Sequence, residues 1–190
     1  FDDSTLADFH RIRRAILSAV TDVHLSFKSD DPGATLYRKI EESAAALKSS
    51  LDEFQPQPES PAGTPIALIV PHAGYIYSGP VAAVAYAQLR PLRGIIQRVV
   101  LLGPVHRVAV HGLTLPGTQA FETPLGRIPI DGEAVARIQA LRQVTTSAAA
   151  HALEHSLEVQ LPFLQEVLGE FRLTPLAVGD TTPEAVAEVI

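Results

Sequence analysis

The sequence predicts an α/β fold on a mainly parallel sheet, and three observations carry that prediction. From residue 65 onward, short apolar runs at 66–70, 98–102 and 172–178 alternate with helical segments, the pattern of βαβ units. The 190 residues are 46% hydrophobic and 19% charged, the composition of a well-packed globule. The apolar runs are far shorter than the roughly 20 residues a membrane-spanning helix needs. Fifteen basic against twenty-one acidic residues give a net charge of -6, which offers no general attraction to nucleic acid or an anionic membrane. There is no cysteine, so no disulfide, thiolate ligand or thiol nucleophile exists in these residues, and histidine, carboxylate, serine or tyrosine must carry any chemistry.

Each element follows from its local pattern. Leu6, Phe9, Ile12, Ile16, Leu17 and Val20 recur at helical spacing, and Leu36, Ile40, Ala44, Leu47 and Leu51 define a second amphipathic helix. A Pro-rich run to Pro61 reads as a linker, which divides one overall domain into an N-terminal helical segment at 1–61 and an α/β core at 62–190. Residues 66–70 read as the first strand. Pro80 suits the first turn of a helix to about Leu89. A strand is expected at 98–102, then a loop to Gly112, and irregular or hairpin structure at 113–130. Asp131 is placed to cap a helix to about Leu141. A small-residue stretch at 145–150 precedes a helix at 156–168, despite Pro162. A strand at 172–178 and a last helix opened by Thr182-Pro183-Glu184 complete the list. Arg11, Arg13 and Arg14 are mixed with acids, so the N-terminus resembles neither a membrane anchor nor a signal peptide, and a cytoplasmic location is expected.

In open α/β sheets, ligands collect beyond the carboxyl ends of strands. His72 stands two residues past the first strand and His106 four past the next. If the two strands are neighbours, both imidazoles overhang one sheet edge, as metal ligands would. Each alone would read as a hydrogen-bonded loop residue; the paired placement favours ligation. His155 is expected at a helix start, where the macrodipole disfavours imidazolium and leaves a neutral ring able to act as base or ligand. Glu158, three residues on, would share its helical face and orient the ring or accept a proton; the bland reading is an exposed helix start with solvated acids. Tyr75 and Tyr77 either donate phenol hydrogen bonds to a substrate or simply pack, and Arg107 suits an anionic ligand group. His10 and His24 read as surface or structural, and His111 has no strand-end logic.

A third reading uses the same segment differently. His151, Glu154 and His155 fit the H-x-x-E-H pattern of inverted zinc peptidases, provided that one helix runs unbroken from His151 to His155. No G-x-S-x-G, Walker A or G-x-G-x-x-G motif is present, so serine hydrolase, P-loop and dinucleotide readings drop out.

Four ordered motifs carry a family resemblance. Pro71-His72-Ala73-Gly74-Tyr75-Ile76-Tyr77-Ser78-Gly79-Pro80, Leu102-Gly103-Pro104-Val105-His106-Arg107, Phe121-Glu122-Thr123-Pro124-Leu125-Gly126 and His155-Ser156-Leu157-Glu158-Val159-Gln160-Leu161-Pro162 closely resemble the Memo family. Its bacterial and archaeal members are often called AmmeMemoRadiSam system protein B. The resemblance implies a three-layer α/β/α fold similar to class III extradiol dioxygenases. It puts His72 and His106 at metal-binding positions and His155 at the acid/base position of the same cleft. It also implies iron or copper, redox activity or phosphotyrosine-peptide binding, and a radical-SAM system as functional partner. A further site residue is implied near a Ser-Ser-Asp motif beyond Ile190. With that, and with no methionine even at position 1, a fragment of a longer protein of about 250–300 residues truncated at its C-terminal end is expected.

The functional expectation is therefore a Memo-like cleft holding a divalent metal, iron or copper before zinc, with non-haem oxidoreductase or dioxygenase-like activity on a small-molecule or peptide ligand. The alternatives are a non-catalytic binding module for an anionic ligand or phosphopeptide, and the zinc peptidase.

Overall fold

The computed structural model describes residues 67–190. The two N-terminal helices, His10, His24, the Pro-rich linker and the expected boundary between residues 61 and 62 lie outside them. The chain divides between Pro91 and Leu92, and the two parts are taken in turn.

In the first part, residues 67–70 form no strand, and Ile69 is fully exposed. An apolar run becomes a strand only where a neighbour completes its ladder, and no described strand pairs with it. Helix α1 (Tyr75–Ala87) starts five residues before the expected position. The amides of Tyr77 and Ser78 donate to the Gly74 carbonyl, and Ser78 Oγ donates to Ala73 O at 2.8 Å, so the first turn closes ahead of Pro80. Pro80 then lies inside the helix, where its φ fits and only one donor is lost. Ala82, Ala83, Tyr86 and Ala87 are buried, while Tyr77, Val81 and Val84 are exposed. Burial pushes the Tyr86 phenol well up.

The second part is a mostly parallel α/β arrangement. Its sheet contains β1 (Arg98–Pro104), β2 (Leu113–Leu115), β5 (Val144–Thr146) and β6 (Arg172–Val178), in the order β1-β6-β2-β5. β1 runs parallel to β6 from Arg98↔Arg172 to Pro104↔Val178, β2 parallel to β5, and β2 antiparallel to β6. The central β6 is buried from Leu173 to Ala177, as a near-continuous apolar run predicts. Pro175 is tolerated there because its missing donor falls between the Ile130↔Leu173 bridge and the β2 pairing at Ala177, where no described strand pairs on that side. The 113–130 stretch resolves into β2 and a hairpin of β3 (Ala120–Thr123) and β4 (Gly126–Pro129).

Capping explains the helices. Asp131 accepts from Ala134 N–H and opens α2 (Gly132–Ile138), which stops three residues before the expected end. Ser147 caps α3 (Ala148–Ala152), and Thr182 caps α5 (Pro183–Ala187). The expected helix at 156–168 is a 3-10 turn (Glu158–Gln160) followed by α4 (Leu161–Leu168), with Pro162 in the first turn of α4, where a missing N–H costs nothing. Helix α4 buries Leu161, Phe163, Leu164, Val167 and Leu168. Leu113, Leu115, Val144, Leu176 and Val189 form a core cluster on the sheet.

Candidate metal centre

The site forms where the end of β1 meets the segment between α3 and the 3-10 turn. Gly103 permits the approach: a Cβ there would lie 2.8 Å from Ser156 Oγ and 2.9 Å from Leu157 Cδ2, closer than atoms tolerate. Ser156 Oγ donates to the Pro104 carbonyl at 2.8 Å, fastening the two segments. The joint brings Glu154 under the loop that carries His106.

Glu154 is the centre of the cluster, with a side chain only 2% exposed. Its Oε2 accepts from the His106 amide at 2.7 Å, and its Oε1 accepts from the amides of His155 at 2.8 Å and Ser156 at 3.0 Å. His106 Nδ1 lies 3.0 and 3.1 Å from the two oxygens. His155 Nδ1 is 3.3 Å from Oε1. The two imidazoles are tilted by 49° with centroids 6.0 Å apart, and their side chains are 45% and 54% exposed. Burial alone would push the Glu154 carboxyl up, but His106 Nδ1 and the amides of Ser156, His106 and His155 outweigh it and hold the pKa at about 2.

His106, Glu154 and His155 are a group that could hold a metal ion, with one ligand atom from each lying within 4.8 Å of the others. Two imidazoles and an ionised carboxylate suit a transition metal.

The other expected residues distribute as follows. His72 is half-buried three residues ahead of α1, Tyr75 is half-buried at its start and Tyr77 is exposed on it; these three belong to the part of the chain before Leu92. Arg107 is exposed beside His106. His111 is exposed and pairs with Asp180 at 3.5 Å. Glu158 begins the 3-10 turn, exposed rather than bonded to the His155 ring; desolvation raises its pKa, His155 opposes and the Glu154 charge adds to the rise.

The inverted zinc motif does not form. Helix α3 ends at Ala152, so no continuous helix carries His151 and His155 on one face. His151 is buried with Nε2 2.9 Å from the Thr114 carbonyl, and desolvation lowers its pKa against that bond and the Glu154 charge. Glu154 was singled out in the sequence only as the glutamate of that motif. Its actual role depends on partners 48 residues away, which spacing does not reveal.

Comparison with known proteins agrees with the four motifs. The profile of the family described as Memo-like protein matches residues 32–190. A MEMO1 family protein of Thermotoga neapolitana is 42% identical over 125 residues, covering 65% of this chain and 44% of that protein. One from Aquifex aeolicus is 40% identical over 145 residues, covering 76% and 52%, and one from Ignicoccus hospitalis is 43% identical over 120 residues, covering 62% and 42%. The aligned chain thus spans about half the length of these relatives or less. With the profile covering well over half of its residues and these geometries in place, the chain belongs to the Memo-like protein family.

Proposed function

We propose that the chain carries a metal-dependent, dioxygenase-like cleft in which His106 is a ligand and His155 the proton-moving group; His72 is proposed as a second ligand on its family motif alone. One observation carries this reading: His106 is held through Nδ1 by a buried, ionised carboxylate, the arrangement that typically orients metal-ligating histidines. Iron or copper is favoured, with zinc as the redox-inert option. Bound there, such a metal supplies electron transfer or Lewis-acid polarisation. His155, half-exposed beside His106, is positioned to take a proton from a substrate bound at the cleft. Arg107 receives an anionic group of the small-molecule or peptide ligand. Tyr75 and Tyr77 supply phenol donors, and Glu158 buffers the proton near His155.

The exposed guanidinium of Arg107 next to His106 also favours a second reading, a binding module for an anionic ligand or phosphopeptide without turnover. One experiment decides. Protein purified without chelator or nickel resin is assayed for metal content and oxygen consumption. His106→Ala and His72→Ala are expected to lose most of the metal and Glu158→Ala to keep it; equal metal content in all three overturns the assignment. His155→Ala is expected to retain metal and lose turnover by about 10²–10⁴-fold. Metal without oxygen consumption in the unaltered protein supports the binding module instead.

A further inference from the structure

We infer that Glu154 is a positioning residue for His106: its carboxylate fixes the imidazole as the Nδ1–H tautomer and makes Nε2 the working atom of the ring. The inference deepens the proposed metal cleft and rests on that reading for what Nε2 does.

The argument is one of donors and acceptors. An ionised carboxylate can only accept. His106 Nδ1 faces both of its oxygens, at 3.0 and 3.1 Å, so Nδ1 must carry the hydrogen. In a neutral imidazole the other nitrogen then has the lone pair, the form that ligates a metal or takes a proton. Glu154 also holds residue 106 by its main chain, through the amide at 2.7 Å, so backbone and ring are gripped by one side chain.

The same count argues against Glu154 as a ligand. Its two oxygens offer about four lone-pair positions. Oε1 accepts the amides of His155 and Ser156, and Oε2 accepts the His106 amide and, at 3.1 Å, His106 Nδ1. Ser156 is 1% exposed, so releasing its amide to free a lone pair would leave a buried donor with no water to replace the bond. The carboxylate therefore stands behind the imidazole and orients it.

The test is long-range ¹H–¹⁵N NMR on the metal-free chain labelled at histidine, at a pH where the ring is neutral, followed by addition of zinc alone. The expected result is His106 as the Nδ1–H tautomer, with zinc shifting the Nε2 resonance. An Nε2–H tautomer, or zinc bound through Nδ1, overturns the inference. In Glu154→Gln the side-chain amide can donate to Nδ1 and turn the ring to Nε2–H; zinc affinity is expected to fall about 10–100-fold. Glu154→Asp, which keeps the acceptor, is expected to restore the Nδ1–H tautomer in part. A merely structural role would lower stability in both variants without moving the tautomer. The unaltered protein decides the inference even if neither variant folds. An Nδ1–H tautomer with no response to zinc keeps the anchor and removes the metal reading, so the two fail separately.

Discussion

Glu154 and Glu158 are the same side chain four residues apart, and their surroundings drive them in opposite directions. Glu154 is buried, meets three amides and an imidazole, and ionises more readily than a free glutamate. Glu158 lies at the surface with its pKa raised, because desolvation and the Glu154 charge outweigh the attraction of His155. Burial is costly to a carboxylate only when donors do not replace the water it loses. The segment between α3 and the 3-10 turn supplies those donors to the first glutamate and not to the second.

The strongest way to break this comparison is to remove each carboxylate. Glu154→Ala is expected to cost about 3–5 kcal/mol in chemical denaturation, because it leaves three amides and an imidazole without their shared acceptor. Glu158→Ala is expected to stay within about 0.5 kcal/mol. Equal losses would mean that the Glu154 bonds contribute no more than a surface contact.

Acid sharpens the contrast. The Glu154 pKa is about 2 in the folded chain against about 4.5 for an ordinary glutamate, so its contribution is fully present above about pH 4.5 and is lost as pH falls toward 2. The full loss is up to roughly 3 kcal/mol, and Glu154→Gln should flatten that part of the stability profile. Glu158 has the opposite sign: its raised pKa means that protonation favours the fold, so its contribution declines as pH rises through the carboxylate range. A stability profile unchanged by Glu154→Gln between these limits would contradict the assignment.

A smaller loss than that of Glu154 separates His151 from the centre. His151→Ala should cost about 1–3 kcal/mol, since the Thr114 carbonyl loses its partner, and should leave metal content unchanged. Metal loss in that variant would contradict the structural role given to this histidine.

What was legible in the sequence follows the same division between local and distant causes. The strands at 98–102 and 172–178 announce themselves as apolar runs, the first continuing through Gly103 to Pro104 where a loop is expected, and Asp131 and Thr182 cap helices by accepting from the amide three residues on. The short strands β2 and β5 were not legible, because three residues carry no period and exist only through pairing with each other and with β6. Residues 67–70 show the converse, an apolar run with no described partner strand. At the site, His106 is legible from its place just past a strand, whereas the helix start expected at His155 lies further on, at the 3-10 turn from Glu158. Glu154 was passed over for Glu158, because helical spacing from His155 assumed a helix that begins later.

The grip of Glu154 on residue 106 closes a loop of 48 residues, and that has a consequence for the order of folding. Closing such a loop costs chain entropy of about (3/2)RT ln n plus a constant, several kcal/mol before any contact forms. A few hydrogen bonds at about 1 kcal/mol each do not offset that alone. Pairing of β1 with β6 along seven residues and packing of α4 would deliver the two segments to the same place. The centre is therefore expected to form only together with the sheet, and a peptide spanning residues 151–158 would contain two of its three side chains and none of its geometry.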